Sequence, residues 1–190
     1  THTLYAWVKD KNGSISARTQ ATTFLDSIKP VVSLAAPAAT RSRDITVTIS
    51  VAPDGGTGIT HWALVNGTTP PQTGFPEWKD TAPTAITLPR GDGSYPVSAF
   101  ARDAAGNVSQ AATAVVIVDN VKPTATVSAP VATATRAIPV TVGGSDNASG
   151  VAAYALVEGT TVPDEASPLW VSSAPTGITL SNGDAHKTIS

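Results

Sequence analysis

Along most of the chain apolar and polar residues alternate with a period of two, in short runs. Ile45, Val47 and Ile49 alternate with Thr46, Thr48 and Ser50, and Leu4, Ala6 and Val8 with Tyr5, Trp7 and Lys9. Val97, Ala99 and Ala101 likewise alternate with Ser98, Phe100 and Arg102. Successive side chains of a strand point to opposite faces, so this period predicts half-buried strands. The runs "ITVTIS", "AVVIV" and "IPVTV" are rich in β-branched residues and are bounded by Gly, Pro, Asn and Asp, which break strands. No segment carries a sustained helical stripe. Fifteen Gly and fifteen Pro are scattered along the chain as punctuation between strands and not gathered in one tract. The pattern predicts an all-β protein.

Comparison of the chain with itself organises these strands. "WVKDKNGSIS" at 7–16 is answered by "FARDAAGNVS" at 100–109, an offset of 93. Asp10, Gly13, Ser16, Asp26, Lys29 and Pro30 return at that offset as Asp103, Gly106, Ser109, Asp119, Lys122 and Pro123. Trp62, Leu64, Gly67, Trp78 and Pro83 return at 92 as Tyr154, Leu156, Gly159, Trp170 and Pro175, one residue having been lost near "SDNASG". A unit of about 93 residues with six or seven short strands has the size of an immunoglobulin-like sandwich. Its strands are expected near 31–36 (A), 44–50 (B), 60–65 (C), 85–88 (E), 95–103 (F) and 111–118 (G). The expected organisation is then tandem immunoglobulin-like β-sandwich repeats: 1–29 carrying strands F and G of one repeat, 30–122 a complete repeat, and 123–190 a repeat lacking most of F and G.

In strand F the apolar sets, Val97, Ala99 and Ala101 and likewise Leu4, Ala6 and Val8, are expected to face the core. The intervening residues lie on the outer face, so Tyr5, Trp7, Lys9, Phe100 and Arg102 form a candidate aromatic and basic binding surface. The twin phrases fall where F reverses into G. There Asp10 and Asp103 are placed to accept backbone N–H bonds, and Gly13 and Gly106 to supply the positive φ of a tight hairpin.

Charge narrows the partners. With a net charge of -2 and 14% charged residues the chain has no clustered basic surface for phosphates, so nucleic acid is not an expected partner. No apolar run is long enough for a membrane helix, so membrane insertion by this segment is not expected either. The absence of Cys removes disulfides and thiolate chemistry and fits both reducing and oxidising compartments.

"HTLYAWVKDKNGSIS", "DNASGVAAYALVEGTT", "PLWVSSAPTGITL" and the "DNVKP" junction together resemble the bacterial immunoglobulin-like (Big/FN3-like) repeats found in tandem in large envelope or secreted proteins. The resemblance spans essentially the whole chain. The copy reading "APDGGTGITHWALVNG" departs from it, with Asp54 but no Asp-Asn pair like Asp146 and Asn147. The resemblance implies an extracellular or cell-surface setting and a role as spacer, adhesin segment or filament part.

Candidate chemistry is sparse. His2, His61 and His186 lie beside strands and no G-x-S-x-G elbow occurs, so no nucleophilic triad is predicted. Asp164 and Glu165 are adjacent on a loop, where side chains diverge, and read as a solvated turn and not as a glycosidase pair. Trp78 and Trp170 recur before "AP" and read as loop-to-sandwich packing in preference to a sugar-stacking platform. Asn12, Asn66, Asn107 and Asn147 begin N-x-[ST] sequons that also read as turns. Calcium is the one possible cofactor: Asp10, Asp26, Asp103, Asp119, Asp146 and Asn147 are candidate oxygen ligands near turns and junctions. Asx turns are the competing explanation of each.

The expected function is a non-catalytic structural repeat of an extracellular bacterial protein: a stalk, spacer or filament-building module, whose partners are other copies or neighbouring repeats. The alternative is an adhesin or carbohydrate-binding repeat that takes surface glycans on the aromatic and basic face. The hairpin at 1–26 and the partial repeat at 124–190 have two readings: head-to-tail strand complementation between copies, or continuation of a longer covalent array.

Overall fold

The computed structural model describes residues 1–52, 55–72, 74–183 and 189. The protein is all-β. Its strands are β1 (His2–Ala6), β2 (Thr19–Thr23), β3 (Val31–Ala35), β4 (Ala39–Thr40), β5 (Asp44–Thr46), β6 (Thr48–Ala52) and β7 (Ile59–Asn66). They continue as β8 (Ala85–Thr87), β9 (Gly93–Asp103), β10 (Ala112–Val118), β11 (Thr124–Ser128), β12 (Ala137–Pro139), β13 (Thr141–Ser145) and β14 (Gly177–Thr179). The chain divides into two compact units, Thr1–Val118 and Asp119–Ser190.

In the first unit β1 and β2 form an antiparallel hairpin pairing His2 with Thr23 and Ala6 with Thr19. The remaining strands build a sandwich-like pair of layers. One layer is a four-stranded sheet in the order β4-β10-β9-β7. The other holds the pairs β3-β6 and β5-β8. The stretch from Asp44 to Ala52 changes partner at Val47: Ile45 lies opposite Ile86 on β8, whereas Ile49 lies opposite Leu34 on β3. The core between the layers is Ile45, Val47, Leu88, Val97, Val116 and Val118, with Leu34, Ile49, Leu64, Ile86 and Tyr95 packed against it. Ile45, Val47, Ile49 and Val97 of the period-two pattern enter this core, and their removal from water drives the association of the layers. Leu4, Ala6 and Val8, expected to face a core by the same alternation, are exposed on the β1-β2 hairpin, because alternation assigns a face but not the layer that covers it.

The long central strand β9 departs from simple alternation, because Val97, Ser98, Ala99, Phe100 and Ala101 are all buried. Val97 lies in the core between layers. Phe100, on the other side, packs with Trp78, which is carried by the segment after β7 as it returns to pair with that strand. Trp62 and Lys79 pair across this segment through two N–H···O=C bonds of 2.9 and 2.8 Å. Ser98 is satisfied in its buried place by the Thr113 hydroxyl at 2.8 Å across the β9-β10 ladder.

The second unit repeats much of this pairing. Thr124 to Ser128 pair with Ser145 to Thr141, and β12 pairs with β14, Ile138 opposite Ile178. Positions 93 residues earlier on β11 and β13 give the β3-β6 register, Val31 with Ala52 through Ala35 with Thr48. Tyr154 and Val171 exchange two bonds of 2.8 Å, as Trp62 and Lys79 do. Ile138 and Val140 are the second unit's buried hydrophobic residues among those described. No helix among the described residues is long and apolar enough to cross a membrane, which says nothing of strands.

Candidate functional site

The aromatic and basic face divides into two parts that differ in exposure. On the β1-β2 hairpin Tyr5 and Trp7 are exposed, their ring centroids 6.2 Å apart, and the Arg18 guanidinium lies 4.8 Å from the Tyr5 centroid. Lys9 is exposed beside them. On β9 the expectation of an exposed Phe100 is overturned: its side chain is 1% exposed and packs with Ala63 and Trp78. Alternation placed it correctly on the outer side of the sheet, but the loop carrying Trp78 covers that side. Trp78 is fixed there by its indole N–H, which donates to the Pro71 carbonyl at 3.3 Å. Arg102, half-buried, sets its guanidinium 5.1 Å from the Trp78 ring, so this cation caps an internal aromatic. Trp78 thus packs loop against sheet, as the sequence suggested. Trp170 also bonds its own loop, 2.9 Å to the Asp164 carbonyl, but unlike Trp78 it is exposed.

The acidic candidates are engaged by N–H and O–H donors. Asp10 Oδ1 accepts from the amides of Asn12 and Ser14 at 2.9 and 2.8 Å, closing the hairpin turn. Asp103 is 2% exposed and accepts from the Asn107 amide and from Asn107 Nδ2, each at 2.8 Å. Asp146 Oδ2 takes the amides of Ala148 and Gly150, at 3.2 and 2.8 Å, and Asn147 is exposed in the same turn. Asp26 binds Ile28 and Thr57, and Asp119 binds Val121 and Ser149. The carboxyls of Asp26 and Asp119 are held below the ordinary carboxylate value. The hydroxyl of Thr57 is the first cause for Asp26 and that of Ser149 for Asp119, with backbone amides adding to both and burial opposing.

These six residues are distributed over turns and linkers. Among the described residues no three His, Asp or Glu side chains gather as a cation site. At Asp26 and Asp103, Asn107 Nδ2 stands between the two positions, donating to Asp103 Oδ2 and at 3.1 Å to the Asp26 carbonyl. At Asp119 and Asp146, Ser149 does so, its amide donating to Asp119 Oδ2 at 2.9 Å and its hydroxyl to Asp146 Oδ2 at 3.4 Å.

No constellation for bond making or breaking is assembled around the described histidines. His61 contacts the exposed Asp80 at 3.4 Å and the Thr60 hydroxyl at 2.9 Å, with no serine completing a triad in those contacts. His2 is on β1, and His186 lies outside the described residues. Asp164 and Glu165 are exposed on their loop. Two shallow grooves, one along Ala137–Pro139 and Gly177–Thr179 and one along Ala35–Pro37 and Thr46–Thr48, are lined by apolar and threonine side chains without an acid or base. The sequence reading missed Tyr95, whose hydroxyl donates to the Gly91 carbonyl at 3.0 Å from near the start of β9. The signal was present in "GDGSYPV", a tyrosine just after a glycine turn. No protein-family model matches the chain, and no curated protein matches it.

Proposed function

We propose that the chain is a run of tandem immunoglobulin-like repeats of the bacterial surface type, serving without catalysis as a spacer or stalk in an extracellular protein. The observation that carries this reading is the recurrence of one hydrogen-bond register at the offsets of 93 and, past the lost residue, 92. Arg43 and Leu88 exchange bonds, the Leu88 amide to the Arg43 carbonyl at 2.8 Å and Arg43 Nε to the Leu88 carbonyl at 3.0 Å. Arg136 and Leu180 do the same at 2.9 and 2.7 Å. The turns at Asp10 and Asp103 match as well: Ser16 and Ser109 each send an amide back across the turn, to the carbonyls of Val8 and Ala101 at 2.9 and 3.0 Å. In this reading β3 is strand A, β5 with β6 strand B, β7 strand C, and β8, β9 and β10 strands E, F and G. The Tyr95 bond to a backbone carbonyl upstream fits the tyrosine corner of that fold.

Small-angle scattering tests the spacer. A sandwich is about 30 to 40 Å long by strand arithmetic, so two in line give a maximum dimension of roughly 70 Å. A near-spherical particle would count against it. A second reading, glycan adhesion, is favoured by the exposed Tyr5 and Trp7 pair alone. A glycan array that gives no Trp7-dependent signal removes it.

A further inference from the structure

We propose that Asp26 and Asp119 are carboxylate latches, each tying the linker that carries it to the strands that follow through the amide of a distant loop residue, Thr57 or Ser149. The mechanical meaning of the latch rests on the spacer reading; the contacts do not. One oxygen of each carboxylate shapes the linker itself. Asp26 Oδ1 accepts the Ile28 amide at 3.0 Å, and Asp119 Oδ1 the Val121 amide at 3.1 Å. An Asx turn accounts for that oxygen and for nothing more.

The other oxygen reaches across the fold. Asp26 Oδ2 accepts the Thr57 amide at 2.6 Å and its hydroxyl at 2.7 Å, donors 31 residues onward. Asp119 Oδ2 accepts the Ser149 amide at 2.9 Å, from 30 residues onward. Bonds to an ionised acceptor are the shorter and stronger kind, and here they join segments that local turn chemistry does not bring together.

Three further features converge on Asp26. A Cβ at Gly56 would lie 2.2 Å from its Oδ2, so the glycine leaves the space that the carboxylate fills. The Asp26 carbonyl takes Asn107 Nδ2 at 3.1 Å, and Thr57 Oγ1 in turn accepts the Ala105 amide at 3.2 Å. Two loops, 55–58 and 103–107, therefore hold the first residue of the linker. The second unit begins at Asp119 itself and not at Pro123, and Asp119 is 5% exposed. The linker that starts at Asp119 is thus tied to the strands after it.

Backbone ¹⁵N relaxation on the full chain tests the latch. In the wild-type chain the amides of Ser27 to Lys29 and Asn120 to Lys122 should have order parameters near the rigid value of about 0.85. Asp26→Ala should drop the first set, and Asp119→Ala the second, below about 0.6 while strand amides keep their shifts. Thr57→Val, which keeps the amide and the side-chain volume, should loosen 27–29 by a smaller amount, and Asp10→Ala should leave both linkers unchanged. Linkers that stay rigid in both Asp→Ala variants, or that are already mobile in the wild type, overturn the proposal. So does a wild-type linker that becomes ordered only when millimolar calcium is added, which would assign the carboxylates to a cation. A globular scattering particle with latched linkers would sink the spacer reading and leave the latch standing.

Discussion

Tyr95 and Phe100 lie on opposite faces of one strand, and both are used for packing: Tyr95 against the core between the layers, Phe100 against Ala63 and Trp78 outside it. The alternation of β9 was readable, but the covering of its outer face was not. That covering depends on where the chain after β7 returns, a tertiary fact without a local period. The distinction predicts opposite mutational outcomes for residues that look alike in sequence. Phe100→Ala should cost about 3 kcal/mol in urea unfolding, the range for removing a buried aromatic, whereas Trp7→Ala on the exposed hairpin should stay within about 0.5 kcal/mol. Similar small losses at both sites would show that the Trp78 loop does not cover Phe100 in solution. The linker aspartates give a pH signature at the same scale. Their folded pKa values are depressed, by the Thr57 hydroxyl first for Asp26 and the Ser149 hydroxyl first for Asp119. A depressed carboxylate contributes stability that is present above its unfolded value near 4 and is lost as pH falls through the folded value. Melting temperature should therefore be level from neutral pH down to about 5 and fall below about 4, less steeply in Asp26→Asn/Asp119→Asn. A ¹³C carboxyl titration placing either aspartate at or above the ordinary value would contradict the assignment.

At the scale of elements, the strands expected near 31–36, 60–65, 85–88, 95–103 and 111–118 appear as β3, β7, β8, β9 and β10, because a β-branched run between turn residues specifies a strand locally. The stretch read as one strand, 44–50, is two. Val47 is the crossing point, where its amide still bonds the Thr84 carbonyl while Thr48 already faces Ala35. The two-residue β4 was not legible. Its only signature is the parallel pairing of Ala39 and Thr40 with Ile117 and Val118, far along the chain. The hairpin turns were legible through their glycines. Gly106 has φ 96° and open space where a Cβ would sit, so a side chain there meets no clash, only the backbone cost of a left-handed conformation. Gly106→Ala should lower stability by about 1 to 2 kcal/mol. An unchanged unfolding midpoint would mean that the turn relaxes to another type.

For the whole molecule, the repeated register does not bring equal burial. The first unit closes a core of Ile45, Val47, Leu88, Val97, Val116 and Val118 around β9, which has a hydrogen-bonded neighbour on each side. In the second unit the same β11-β13 and β12-β14 pairings bury Ile138 and Val140 among the described residues, and all of β11 is exposed. Local opening is easiest where few apolar contacts must be broken, so identical ladders should differ in protection according to what lies on their faces. Hydrogen exchange read by mass spectrometry should show the amides of Val97 to Ala101 exchanging slowest. Those of Thr124 to Ser128 should exchange at least about 100-fold faster, equivalent to roughly 2.7 kcal/mol of opening free energy. The β3-β6 ladder is the internal control, because it shares its register with β11-β13 but has Leu34 and Ile49 against a closed core. If β3-β6 and β11-β13 exchange alike, pairing and not core burial sets the stability of these ladders. If β3-β6 follows β9, the difference between the units is the missing weight of apolar burial on the second unit's sheet faces.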